Sequence, residues 1–146
     1  MRQSTTRWLE VLGHKKLRVK TDFQREVDNG GRLEIVRLSK LYFDRPHHSV
    51  ILSISSLSPE NLSAEEIKQI RQGKIPLGKI FGGNGQNGLR KTAISIKRVK
   101  DLRLARKLNV RDPRCFSKEY ALWSGERWVG TIKEIFNEES FKRIWR

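Results

Sequence analysis

The sequence has few of the residues that build disulfide-linked, metal-binding or membrane-spanning proteins. Its 146 residues include one cysteine, Cys115, and three histidines, so no internal disulfide can form and no metal-ligand spacing is present. No run approaches the roughly 18 apolar residues that a membrane-spanning helix needs. The first residues, MRQSTTRWLEVLG, lack the apolar core of a signal peptide. We therefore expect a soluble cytoplasmic protein without a metal site.

Acidic residues are also scarce relative to basic ones. The chain has 31 Lys and Arg against 16 Asp and Glu, a formal net charge of +15, which attracts nucleic acid, acidic membranes and small polycarboxylates alike. The densest basic segment, residues 90–114, contains no aromatic residue, and the chain has no helix-turn-helix, RNP motif or zinc finger. A solvated basic face and nonspecific contact with phosphates are both open interpretations of this segment.

The remaining composition is typical of a folded domain. Hydrophobic residues make up 36% of the chain and four tryptophans are present, which argues against disorder. The length suits one domain over residues 1–146. Capping residues and apolar periodicity predict a helix after Ser4 that ends at Gly13, strands over 17–23, 33–43 and 49–57, a helix over 63–72, strands over 89–98, 116–123 and 127–137, a basic helix over 100–108 and a last helical turn over 138–145.

The connections between the predicted strands are short. Strands joined in this way must be antiparallel, because a parallel pair needs a long crossover. The order of helix, strands, helix and strands is typical of the α+β class. We predict a single antiparallel β-sheet with a few helices packed on it.

The glycine-rich segment GGNGQNG matches a dinucleotide-binding pattern by letter. Its residues 83–88 read G-x-G-x-x-G, a fingerprint that works only between a strand and a helix of a parallel unit. Here the segment leads into TAISI, which is typical of a strand. We interpret it as a mobile loop or lid.

Three charged residues fall on strand faces that otherwise carry apolar residues. Period-two alternation gives Arg37, Arg90 and Glu134 this position. Burying an unpaired charge costs several kcal/mol, so such residues are normally paired with each other or bound to a charged ligand. Their neighbours on the same predicted faces are Ile35 and Leu41 for Arg37, Ile94 and Ile96 for Arg90, and Trp128, Ile132 and Phe136 for Glu134.

Two interpretations of these charges are open at this point. They form a structural Arg–Glu pair inside the core, or they line a pocket in which arginines bind a carboxylate bidentately. In the pocket, apolar surroundings would raise the pKa of Glu134 and let it donate or accept a proton. The residues alone support a small-anion pocket and a basic scaffold equally.

Five segments, in this order and at similar spacing, resemble the chorismate lyase family over nearly the whole chain. Those enzymes eliminate pyruvate from chorismate to leave 4-hydroxybenzoate, without a metal or an organic cofactor. The segments are STTRWLE (4–10), EIVR (34–37), GKIPLGKIF (73–81), Leu89-Arg90 and YALWSGERWVGTIKEIF (120–136).

The resemblance implies a role for five residues of this chain. Arg37 would pair with a carboxylate of the substrate, and Glu134 would handle the proton at the bond-breaking step. Leu77 and Thr5 would offer main-chain groups to the ligand, and Arg90 would supply a second positive charge. The implied partner is a small aromatic or cyclohexadiene carboxylate, bound by a monomer.

Two alternatives to the enzyme stand beside it. The first is a noncatalytic module of the same fold that binds an aromatic carboxylate, as the ligand-sensing domains of some transcription regulators do. The second is a basic protein associated with nucleic acid, for which residues 90–114 are the reason.

Overall fold

The computed structural model describes residues 5–81 and 89–145. The predicted cap Ser4 and the glycine-rich segment 82–88 lie outside the described residues. No helix within the described ranges is long and apolar enough to cross a membrane.

The predicted helices and strands that lie in the described ranges are all found, with shifted ends. Helix α1 (Thr5–Gly13) is followed by strands β1 (Arg18–Asn29), β2 (Arg32–Tyr42) and β3 (Ile51–Leu57), helices α2 (Ala64–Gln72) and α3 (Leu77–Ile80), strand β4 (Leu89–Lys100), helix α4 (Leu102–Lys107), strands β5 (Arg114–Ser124) and β6 (Arg127–Asn137) and helix α5 (Glu138–Phe141), with 3-10 helices at Pro46–His48, Pro59–Asn61 and Lys142–Trp145.

The six strands form one antiparallel sheet, which confirms the predicted fold class. Their order is β1-β2-β3-β6-β5-β4, so β3 and β6 pair at the centre and β1 and β4 form the edges. Residues in register form rows across the sheet, and one row runs from Arg37 through Ser55 and Ile132 to Tyr120. Side chains of one row share a face of the sheet.

Strand β1 is the largest boundary difference between sequence and structure. The prediction ended it at Phe23, whereas its pairing with β2 continues to Asn29. An edge strand has a partner on one side only, and most β1 side chains are exposed or partly exposed. Its second half is therefore held by backbone hydrogen bonds and shows little apolar alternation.

The two faces of the sheet carry different helices. On one face, Leu9 of α1 packs near Ile51, and Ile70 of α2 packs in a cluster with α3. On the other face, Ala105 of α4 packs against Leu52. Ile51 and Leu52 are neighbours on β3, so their side chains point to opposite faces. The face under α1 and α3 carries the inward charges.

Helix α2 has the ends that the sequence predicts. The Ser63 hydroxyl accepts from the Glu66 amide (3.1 Å), and the Glu66 carboxylate accepts from the Ser63 amide (2.9 Å). Gly73 ends the helix with φ 67°, a left-handed conformation that glycine adopts without strain. The Thr21 hydroxyl donates to the Gly73 carbonyl (2.8 Å). These contacts fix residues 75–77 above the sheet.

Gly130 on β6 is required by the close approach of β3. A Cβ at this position would lie 2.6 Å from Leu57 Cδ2 and 2.8 Å from the Ser56 carbonyl oxygen. We expect Gly130→Ala to lower the free energy of unfolding by about 1–3 kcal/mol through overpacking, measured by urea denaturation. Ser124→Ala, at the exposed end of β5, is the control and should change it by less than about 0.5 kcal/mol. Equal stability of the two variants would contradict the packing.

Candidate functional site

A cavity lies between the sheet and helices α1 and α3. It has an empty volume of about 400 Å³, which includes space open to solvent. Its wall includes four of the five residues that the sequence assigned to the site. The wall includes Thr5, Arg37, Leu77, Tyr120, Ile132 and Glu134.

Arg37 is buried in the wall of this cavity, with 2% of its surface exposed. Its Nε donates to the Ser39 hydroxyl (2.8 Å) and its Nη2 donates to the Ile75 carbonyl (3.1 Å). Its Nη1 is buried and has no hydrogen-bond partner among the described residues, and neither has the hydroxyl of Ser55 directly opposite on β3. Desolvation lowers the pKa of Arg37 to about 10, so it stays charged at neutral pH.

The structural Arg–Glu pair is the wrong interpretation of these charges. Within residues 5–81 and 89–145, neither Arg37 nor Glu134 takes part in an ion pair. Burial also lowers the pKa of Arg37, whereas a carboxylate partner would raise that pKa. The two charges face one cavity without touching, which leaves room between them for a ligand.

Glu134 is the buried carboxylate of the cavity, with 4% of its surface exposed. Its Oε1 accepts a hydrogen bond from the Thr5 hydroxyl (3.0 Å), and its carboxylate also accepts from the Tyr120 hydroxyl. Burial raises its pKa, and the hydrogen bonds together with Lys118 and Lys91 lower it by less. Glu134 therefore holds a proton at a higher pH than an exposed glutamate does.

Thr5 and Leu77 lie at the cavity as predicted, at the starts of α1 and α3. The Thr5 side chain is engaged with Glu134. Leu77 accepts from the Phe81 amide (3.0 Å), while its own N–H, at the first helical position, has no partner inside the helix. Main-chain contacts of these two residues with a ligand stay a prediction.

Arg90 does not point inward, so its predicted position is wrong. Its side chain is exposed, lies over the Trp123 ring (5.7 Å to the centroid) and donates to the Gly125 carbonyl (3.3 Å). The prediction set the phase of β4 by Ile94 and Ile96, which are 53% and 76% exposed. Strand β4 is an edge strand, and a register shift between residues 93 and 95 breaks its alternation.

Trp128 is also misplaced by simple alternation. The pairing of β5 with β6 shifts between Leu122 and Trp123, which leaves Val129 as an extra residue. Val129 is fully buried in the core cluster of Ile132, whereas Trp128 is partly exposed under Arg32 (5.7 Å to the ring centroid). Trp128 is therefore not part of the cavity wall.

Sequence reasoning missed Tyr120 and two lysines beside it. Tyr120 lines the cavity, the Lys91 Nζ lies 5.0 Å from its ring centroid, and the Lys118 Nζ lies 5.7 Å away. Burial, and then Lys118, lower the pKa of Lys91, and Glu134 raises it. A regular hairpin register drawn from the turn between Ser124 and Arg127 would have placed Tyr120 opposite Thr131, one residue away from its observed partner Ile132. No sequence signal gives the phase of β4.

Replacing Arg90 with methionine tests its removal from the site. Because Arg90 is outside the cavity wall, we expect Arg90→Met to change the affinity for any cavity ligand less than about twofold, as loss of one exposed charge does. Isothermal titration of the variant against the wild-type protein measures this. A tenfold loss of affinity would return Arg90 to the site.

The basic segment 90–114 is divided between an edge strand and a short helix. Strand β4 exposes Lys97 and Lys100, and α4, which packs on the opposite face from the cavity, exposes Arg103 and Arg106. Its contact with nucleic acid stays a prediction. The described residues hold no group of three or more His, Cys, Asp or Glu side chains placed to bind a metal ion.

Comparison with known proteins identifies the fold. No protein-family model and no curated protein matches this sequence. Among solved structures, it is similar to the C-terminal domain of the histidine utilization repressor from Pseudomonas syringae pv. tomato str. DC3000, with a TM-score of 0.65 and 12% identity over 86% of this chain and 94% of that one.

Two further structures agree with this one. The effector domain of PhnF from Mycobacterium smegmatis has a TM-score of 0.69 and 13% identity, over 94% of this chain and 90% of that one. The ligand-binding domain of a protein assigned to the GntR family of transcriptional regulators, from Bordetella bronchiseptica, has a TM-score of 0.62 and 12% identity, over 84% and 86%. At these identities the likeness shows the fold alone, which is chorismate-lyase-like.

Proposed function

We propose that this chain is a small-molecule-binding domain, one unit over residues 1–146, whose cavity binds an aromatic carboxylate at Arg37. The observation that carries the proposal is the buried guanidinium of Arg37, which has no carboxylate partner among residues 5–81 and 89–145. A buried cation in this state costs stability, and a function that needs the charge accounts for its presence.

The hydrogen bonds of Arg37 favour a carboxylate as the ligand group. A guanidinium has five N–H donors, and the protein uses one on Nε and one on Nη2. Both donors of Nη1 and the second donor of Nη2 are left. These two nitrogens form a fork that matches the two oxygens of a carboxylate.

The lining of the cavity favours one aromatic ring. Val19, Leu41, Leu77 and Ile132 supply apolar wall, and Tyr120 supplies an aromatic one. A flat ring with a carboxylate at one end, such as 4-hydroxybenzoate, fits this chemistry.

The structural neighbours support binding as the function. One of them is described as a ligand-binding domain and another as an effector domain. The first is part of a protein assigned to the GntR family of transcriptional regulators. A domain of the same fold that binds a small organic anion without converting it is consistent with these neighbours.

Isothermal titration with 4-hydroxybenzoate and 4-hydroxybenzamide tests the proposal. The two ligands have nearly the same shape, and only the acid carries a charge. We expect the acid to bind at least about tenfold more tightly, since hydrogen bonds to a charged group contribute about 1.5–3 kcal/mol. Equal affinities, or no heat of binding with any of a panel of substituted benzoates, would overturn it.

A second candidate function is elimination of pyruvate from chorismate, and Glu134 favours it. In that reaction a ring carbon loses a proton, the ether C–O bond breaks, and the enolpyruvate that leaves takes up a proton to become pyruvate. One carboxyl group that donates and accepts a proton can serve both transfers. Glu134, held by Thr5 and Tyr120 in the same cavity as Arg37, is such a group.

Incubation with chorismate separates the two candidates. Formation of 4-hydroxybenzoate, followed by absorbance, supports the lyase. If no product forms above the uncatalysed background while 4-hydroxybenzoate binds, the domain binds without converting.

A further inference from the structure

Two lysines and one tyrosine form a cluster at one end of the cavity. Lys91 from β4 and Lys118 from β5 both place their Nζ atoms over the Tyr120 ring, at 5.0 and 5.7 Å from its centroid. Tyr120 and Glu134 line the cavity, and Lys118 is directly opposite Glu134 in the pairing of β5 with β6. Both lysine side chains are exposed, and they lie beside Tyr120 outside the residues that line the cavity.

The positive charge of this cluster exceeds the negative charge beside it. Two ammonium groups face one carboxylate, and neither lysine forms an ion pair with Glu134 or with any other acidic residue of the described ranges. Burial of Glu134 favours its neutral form, which increases the excess. Lys118 also disfavours the charge on Lys91. An anion between the two lysines would relieve this repulsion.

We propose that Lys91 and Lys118 form a second anion subsite, so that the ligand is an elongated dianion with one carboxylate at Arg37 and a second carboxylate or phosphate between the lysines. The inference rests on the proposed function, because it assigns the second end of the same ligand. Tyr120 contacts both lysines and also lines the cavity.

The row of paired residues gives the length of this ligand. Arg37 and Tyr120 are separated by three strand spacings, through Ser55 and Ile132, which is about 14 Å between their backbones. The side chains of Arg37 and Tyr120 extend from these two backbone positions and shorten the distance that the ligand has to span. A ligand that reaches both ends is therefore longer than a benzoate, and we place its second charge on a substituent para to the first carboxylate.

The alternative role for the lysines is to hold Glu134 ionised. Lysines that did so would lower the pKa of Glu134 below its ordinary value, whereas burial dominates and that pKa is raised. Neither ammonium group lies within ion-pair distance of the carboxylate. Their charge is therefore available to a group that enters the cavity.

The test compares two ligands that differ only in the charge at the second end. 4-(Carboxymethoxy)benzoate is a dianion, and 4-(carbamoylmethoxy)benzoate has the same shape with a neutral amide. By isothermal titration we expect the wild-type protein to prefer the dianion at least tenfold. Lys91→Met and Lys118→Met should each reduce that preference by threefold or more, and the double variant should remove it while changing the affinity for the amide less than twofold.

Lys97→Met is the matched control for net charge. Lys97 is exposed on the same strand as Lys91 and is not part of the cluster, so the preference should survive its replacement. Circular dichroism confirms that each variant is folded. 4-Phosphonooxybenzoate carries a phosphate of charge about −2 in place of the second carboxylate, and the ratio of its affinity to that of the dicarboxylate shows whether the subsite accepts the larger charge of a phosphate.

The outcomes separate this inference from the proposed function. If 4-(carboxymethoxy)benzoate and its amide bind equally well and Arg37→Met weakens both, the second subsite is overturned and the carboxylate site at Arg37 stands. If none of the ligands binds, the proposed function fails, and the inference with it. If Lys97→Met removes the preference for the dianion as strongly as Lys118→Met does, the preference comes from general attraction to a basic protein. That result would overturn the subsite.

Discussion

Replacing Arg37 with methionine should abolish carboxylate binding without destabilising the empty protein. Truncating one partner of a buried, hydrogen-bonded charge pair costs about 2–5 kcal/mol of binding free energy, a loss of roughly 30-fold to several thousand-fold. Methionine fills much of the same volume and carries no charge. Isothermal titration with 4-hydroxybenzoate measures the loss.

The stability of the variant distinguishes a binding residue from a structural one. Burial lowers the pKa of Arg37 from 12.5 to about 10, which corresponds to roughly 3 kcal/mol against the charged form in the empty cavity. Methionine removes this cost, and it leaves the Ile75 carbonyl without its donor, at about 1–3 kcal/mol. We expect the free energy of unfolding to be unchanged or up to about 2 kcal/mol higher.

Arg90→Met is the matched control, since it removes the same charge from an exposed position. It should leave both the affinity and the stability near the wild-type values. A variant Arg37→Met that binds normally would remove Arg37 from the site. One that loses more than about 2 kcal/mol of stability would show that the guanidinium holds the core together, contrary to its lack of an ionic partner.

The sequence predicted the fold well because most of its signals are local. The capping box at Ser63, the glycine at 73 and the short turns between strands act within a few residues, and the structure contains them. Alternation also placed Arg37 and Glu134 on one face, because β2 and the second half of β6 pair without interruption through these residues.

The same method failed where pairing is irregular. Arg90 and Trp128 lie close to register shifts, on β4 and at the start of β6. A shift of one residue turns every following side chain to the other face, and no residue type marks its position. Lys91 and Lys118 are 27 residues apart in the sequence, and only the pairing of β4 with β5 brings them together. The sequence does not predict the register of that pairing, so it could not predict the cluster.

Replacing Glu134 with glutamine should have the second large effect, and its sign depends on what the domain does. If chorismate is converted, Glu134→Gln should lower kcat by about 100- to 10,000-fold, as loss of a general acid or base does. The amide keeps the shape and can accept the hydrogen bond from Thr5, so binding of 4-hydroxybenzoate should persist. A rate of product formation equal to that of the wild-type protein would exclude Glu134 from proton transfer.

If the domain only binds, the same variant should bind carboxylates more tightly at pH values above the raised pKa of Glu134, where the wild-type side chain is ionised. Ionised Glu134 and the ligand carboxylate are like charges in one cavity. At a separation of about 8 Å and an effective dielectric constant of 20, they repel by about 2 kcal/mol, or 30-fold in affinity. Wild-type affinity should therefore rise as the pH falls through the raised pKa of Glu134, whereas the affinity of Glu134→Gln should be nearly independent of pH in this range.

The pH dependence of stability gives an independent check on the same residue. Burial raises the pKa of Glu134 in the folded protein above its unfolded value of 4.5, so the folded state binds the proton more tightly. The stability from this group is complete below the unfolded pKa and is lost as the pH rises through the folded pKa. Glu134→Gln, neutral throughout, should show a smaller loss over this window in urea denaturation. Parallel profiles for the variant and the wild-type protein would mean that Glu134 titrates normally and that the cavity does not desolvate it.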